Sequence, residues 1–197
     1  MKRILLLVLF TTLLVIPPGF AADSKGVNLK PKTPAEWQTY LKYRRDETLE
    51  KLYALDPGAQ YLIEHAQGYG VFSNFGMKLG FVGGGSGRGL LHDNKSGKDT
   101  YMRMMQGNVG FGLGAKDFRV VFVFDNREVM DQFISSGWSF GGQANASAKS
   151  DKGIGAEKGG AIAVAPGVRA YQLTENGLAL ELTLGGTKYW VDNAVNK

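Results

Sequence analysis

The chain is 197 residues long, carries a formal net charge of +5 and contains no cysteine. That excludes thiol catalysis, thiolate metal sites, disulfide staples and a cysteine-linked lipid anchor. Lys2 and Arg3 belong to a leader, and without them the charge falls from +5 to +3, which suits an anionic surface but makes no case for nucleic acid.

The leader is the first 22 residues. Lys2 and Arg3 precede an apolar run from Ile4 to Ile16; Pro17, Pro18 and Gly19 break it, and Gly19-Phe20-Ala21 offers small residues for cleavage after Ala21 or Ala22. This is the pattern of a secretory signal peptide, and the run falls short of the ~20 residues a spanning helix needs. The remaining ~175 residues suit one domain. Residues 23–32 read as a polar, disordered leader, and the domain as 33–197.

A helix is predicted from Thr33, which can cap it, with Pro34 in the first turn and Glu36 completing a capping box. It should run to Leu55. Asp56 is then placed to cap a second, shorter helix through His65 and Ala66. Beyond Gly68 the pattern turns to strands: Tyr69–Phe75, Leu79–Leu91, Thr100–Gly114, Phe118–Phe124, Phe140–Ala148, Ala161–Leu173 and Leu178–Leu184. Residues Asp93 to Gly97 form a turn, and Asn176-Gly177 marks a hairpin. One helix interrupts the strands, capped by Asp125 or Asn126, with Val129, Met130, Phe133 and Ile134 on its apolar side and Gly137 at its end. Short connections favour an α+β domain: N-terminal helices packed on a strongly curved, mostly antiparallel, Gly-rich sheet, barrel-like in its closure, with one inserted helix.

Between Ala66 and Leu91 nine residues are glycine, interleaved with large apolar residues. Gly83, Gly85, Gly87 and Gly89 recur every second position, so a strand places them on one face, where another backbone, side chain or ligand can approach. Neither GxGxxG nor GxxxxGK[ST] occurs, and the glycines do not open a helix, so close packing is preferred to a phosphate loop. In Asn108–Ala115 Val109, Phe111 and Leu113 alternate with Gly110, Gly112 and Gly114.

Gly137-Trp138-Ser139-Phe140-Gly141 matches GxSxG, but the nucleophile elbow needs a strand before it and a histidine after it. Here a helix precedes, and both histidines, His65 and His92, lie upstream. Two distant histidines are also a poor start for a metal site. Neither catalytic residues nor cofactor nor metal is expected.

The first helix carries the clearest electrostatic pattern. Trp37, Leu41, Thr48, Leu52 and Leu55 share a stripe bordered by Arg44, Arg45 and Lys51, while Asp46, Glu47 and Glu50 lie away from it. An interfacial helix uses such a border against anionic headgroups. The alternative is that the stripe docks on the sheet and the arginines overhang the contact.

Several ordered motifs together resemble the SYLF domain, the lipid-binding domain of Ysc-type yeast actin regulators and their bacterial homologues. They are Ala66-x-Gly68-Tyr69-x-Val71-Phe72; Gly80-x-Val82-Gly83-Gly84-Gly85-x-Gly87-x-Gly89; Val120 to Asp125 running on to Phe133; the Ala/Ser strand after Gly141-Gly142; Ala170-Tyr171; Gly177-Leu178; and Leu184 to Thr187. The resemblance spans nearly all of the chain from the first helix onward. It implies a single α+β domain that binds phospholipids, with phosphoinositide preference among eukaryotic members, through an amphipathic helix and nearby basic residues. Carried over, these are Trp37, Tyr40, Arg44, Arg45 and Lys51, with Lys78 and Arg88 beside the glycine-rich strands. The signal peptide, the lack of an SH3 or FYVE module and the polar turn at His92–Asp99 depart from the eukaryotic pattern, so actin is not an expected partner.

The expectation is a non-enzymatic, exported protein, periplasmic or peripheral to an envelope membrane, that binds anionic phospholipid. The alternative is an envelope structural or protein-interaction module with envelope-protein partners and no lipid affinity. A hydrolase built on Ser139 is the third reading.

Overall fold

A computed structural model describes residues 27, 29–75, 84–107, 119–140, 145–147, 160–174, 177–179 and 181–197. The predicted signal peptide (residues 1–22), Lys78, the Gly83 position and the Asn108–Ala115 alternation lie outside the described residues.

Helix α1 (Pro34–Leu55) begins as its sequence dictates. The Thr33 hydroxyl accepts from the Glu36 N–H at 3.3 Å, and the Glu36 carboxylate accepts from the Thr33 N–H at 3.2 Å. The chain leaves it through Asp56, whose N–H donates to the Leu52 carbonyl and whose carboxylate accepts from the Gly58 N–H at 3.0 Å. Pro57, not Asp56, occupies the cap position of α2 (Gly58–His65), where no side chain closes the first turn. The third helix, α3 (Arg127–Ser136), is capped by Asn126, which accepts from the Val129 N–H, and stops at Gly137 with φ 67°.

The strands are β1 (Gly68–Phe75), β2 (Gly84–Asp93), β3 (Asp99–Gly107), β4 (Arg119–Phe124), β5 (Trp138–Ser139), β6 (Asn145–Ser147), β7 (Ile162–Ala165), β8 (Val168–Thr174), β9 (Gly177–Leu178), β10 (Glu181–Thr183) and β11 (Thr187–Val191). The main sheet runs β5-β11-β3-β2-β1-β4-β8-β7, with β9 pairing β8 and β10 pairing β6 separately. All described pairings are antiparallel, and the sheet curls into a half-barrel, so the molecule is α+β as expected.

Two predicted strands divide. Ala161–Leu173 breaks at Pro166-Gly167, where proline sets one turn residue and Gly167 takes φ 72° at the next, folding β7 against β8. Leu178–Leu184 divides into β9 and β10, which pair with different strands. Thr187–Val191, not anticipated as a strand, joins β3 to β5.

Each face of the sheet has its own core. One face packs Phe72, Phe122, Phe124, Tyr189 and the Met130 and Phe133 side of α3. Gly87 and Gly89 point to this face. A Cβ on Gly89 would meet the Phe72 ring at 2.5 Å and the Val71 carbonyl, and one on Gly87 would meet Met104 Cγ at 2.8 Å. What approaches these glycines is therefore the protein's own core, Phe72 at Gly89 and Met104 at Gly87.

The opposite face carries α1. Tyr40 and Leu41 pack with Leu90, Tyr101 and Val195, and further along Leu49 and Leu52 pack with Val71, Val121 and Tyr171. Leu55, assigned to the docking stripe by periodicity, is instead exposed at the helix's last position, and Leu49 docks in its place. Val27, within the predicted disordered leader, packs against the Tyr40 cluster.

Candidate functional site

Antiparallel register places directly paired residues on the same face. On the α1 face Arg88 of β2 pairs with Arg103 of β3, and Arg103 pairs with Trp190 of β11. One step along, Ser86, Met105 and Lys188 form a second row. The first turn of α1 hangs Trp37 over this surface, and the Arg88 guanidinium stacks on its ring at 3.8 Å from the centroid. Trp37 in turn meets Tyr40 edge-on at 5.8 Å. Trp37, Arg88, Arg103, Met105 and Trp190 thus wall a cleft of about 380 Å³, within the size range of small-ligand sites.

Asp192, just past β11, sits beneath the arginines. Its side chain is only 4% exposed, and Oδ2 lies 3.1 Å from Arg88 Nε and 3.2 Å from Arg103 Nε. Its other oxygen accepts from the Ala194 N–H at 3.2 Å. The segment behind it is fixed by Asn196, whose amide accepts from the Tyr101 N–H at 2.9 Å and donates to the Tyr101 carbonyl at 2.7 Å, continuing the sheet where β11 ends. Gln38 of α1 donates to the Val195 carbonyl at 2.7 Å, so helix and C-terminal segment close on the same cleft. Burial draws the Arg88 guanidinium below its usual pKa; Asp192 opposes this and Arg103 adds to it. It remains a cation.

Of the residues expected at a lipid site, the structure brings together Trp37 and Arg88. Tyr40 is buried behind Trp37, where burial raises its phenol pKa against the lowering influence of Arg44. Arg44 pairs with Glu47 at 2.6 Å, Lys51 with Glu47 at 2.9 Å, and Arg45 with Asp46 at 2.7 Å and Asp99 at 3.5 Å. All three cations lie in ion pairs with carboxylates of the described fold. Arg103, Met105, Trp190 and Asp192 were not anticipated. Their only signal was a Met/Arg alternation in one strand and a β-branched and aromatic run, Thr187 to Val191, after a Gly-Gly turn.

The GxSxG match resolves into the end of α3, the positive-φ Gly137 and the two-residue β5, where Ser139 pairs with Lys188. This is a helix-to-strand turn, the reverse of a nucleophile elbow. His92 Nδ1 lies 2.7 Å from Asp99 on the rim that holds Arg45, and His65 stacks on Tyr61 at the surface. Among the described residues no group of three or more His, Cys, Asp or Glu side chains could hold a metal ion, and no helix is long and apolar enough to cross a membrane.

Fold and site together define an α+β protein with a curled antiparallel half-barrel and an arginine–tryptophan cleft under its first helix. The chain is similar to a curated protein named Beta cell expansion factor A, from Aeromonas veronii, at 33% identity over 177 residues, or 87% of this chain. The chain spans 64% of that relative's length. No family model matches the chain.

Proposed function

We propose that this is a SYLF-type, non-enzymatic phospholipid-binding protein that is exported and associates peripherally with an anionic membrane surface of the cell envelope. The observation that carries the reading is the cleft: two tryptophans, two arginines and the half-exposed Met105 share one face. Tryptophan suits the headgroup level of a bilayer, and each cation near an anionic surface contributes about 1 kcal/mol. With Arg44, Arg45 and Lys51 paired internally, the contact belongs to the end of α1 at Trp37 and to the strands beneath it, rather than to the helix's basic border.

Cosedimentation of the chain lacking residues 1–22 with vesicles tests this. Binding to phosphatidylglycerol-containing vesicles and weak binding to pure phosphatidylcholine is the expected result. No binding to either would defeat the lipid reading and favour the protein-interaction module.

A further inference from the structure

Arg88 and Arg103 are directly opposed on neighbouring antiparallel strands, a placement that destabilises a sheet when the charges are alike. Asp192 relieves it only in part. One carboxylate faces two guanidiniums, which leaves one positive charge. It reaches both through Nε, at 3.1 and 3.2 Å, rather than at the terminal Nη groups. Arg88 is held flat by Trp37, while Arg103 is about half exposed at 48%.

We infer that Arg88 and Arg103 form a fork that grips one phosphate group, with Trp37 and Trp190 flanking whatever carries it. Guanidinium edges match phosphate oxygens in pairs, and a tetrahedral oxyanion can face both edges at once. Asp192 backs the fork from below and keeps both side chains turned to the cleft. At about 380 Å³ the cleft takes a headgroup-sized moiety. Where that phosphate belongs to a lipid, the inference rests on the membrane reading; a soluble phosphate ester is the other source of the same chemistry.

Arg103→Lys keeps the charge and removes the fork. Its binding, and that of the wild type, is read by tryptophan fluorescence against phosphatidylglycerol vesicles and against soluble glycerol 3-phosphate, with thermal unfolding as a control. Arg88→Lys is the second variant should Arg103→Lys lose its fold. The fork predicts a loss of at least about tenfold in the affinity for vesicles, the size of one charge-assisted hydrogen bond. Equal vesicle binding by wild type and Arg103→Lys would overturn the fork and leave the membrane reading standing. Wild type that ignores vesicles but binds glycerol 3-phosphate, with the response lost in Arg103→Lys, would keep the fork and assign it to soluble phosphate esters. A wild type that responds to neither probe would overturn it.

Discussion

Asp192 serves two arginines with one carboxylate, at 3.1 and 3.2 Å from their Nε atoms. A contrasting case is Asp93, where supply meets demand. The Arg127 guanidinium donates to both of its oxygens at 2.9 Å, and the Lys95 and Ser96 N–H groups add to them. Arg127 above all holds the Asp93 carboxyl well below the usual carboxylate range, with the Ser96 and Lys95 groups helping against some burial. A carboxyl depressed in the fold stabilises it fully above its unfolded pKa, about 3.9, and loses that contribution as pH falls toward the depressed value. Asp93→Asn should therefore melt below wild type by a constant margin between pH 7 and 5, and the margin should shrink below about pH 4. A margin unchanged at pH 3 would deny the pair its role. At Gly89 the constraint is steric. Gly89→Ala must displace the Phe72 ring or the Val71 carbonyl, so denaturant unfolding should report a loss of about 2 kcal/mol or more.

At the scale of elements, α1 is fastened to the sheet by its polar side as well as its apolar one. Glu47 gathers Arg44, Lys51 and, from β4, Arg119 at 3.1 Å, and the surrounding cations keep its carboxyl below the ordinary range despite the burial that would raise it. Glu47→Gln should lose about 1–2 kcal/mol, since the cluster is only partly shielded from water. It should leave vesicle binding per folded molecule unchanged. A marked rise in vesicle binding would return the lipid site to the helix's basic border. The helices were legible in the sequence because caps are local: Thr33, Pro34 and Glu36 close α1 among themselves, as Asn126 and Gly137 bracket α3. Strand existence was largely legible too, but partners were not. Pro166-Gly167 is a turn signal set inside the apolar run Ala161–Leu173, which by its alternation reads as one strand. The row of Arg88, Arg103 and Trp190 depends on the register of three strands, with its end members Arg88 and Trp190 far apart in sequence, which no local pattern encodes. For that reason Trp37 and Arg88 were found as separate candidates, and the residues that unite them were not.

Over the whole molecule, the two faces of the curled sheet divide the work. One face buries the aromatic core with α3, and the glycines of β2 admit Phe72 and Met104 there. The other face receives α1, the C-terminal segment and the charged row, so both ends of the described fold converge on the cleft through Gln38, Val195 and Asn196. Asn196→Ala should loosen the segment that positions Asp192, and a loss of about 1–2 kcal/mol in stability is expected, since its amide makes several part-buried hydrogen bonds. The glycine-rich stretch thus identifies how the sheet packs, while the paired arginines and the tryptophans gather where α1 crosses it. The most direct test compares cosedimentation of the wild type and a Trp37→Ala/Arg103→Gln variant with phosphatidylglycerol vesicles, at matched folded fraction. The cleft account predicts that wild type binds and the double variant does not; a variant that binds as well as wild type would contradict it.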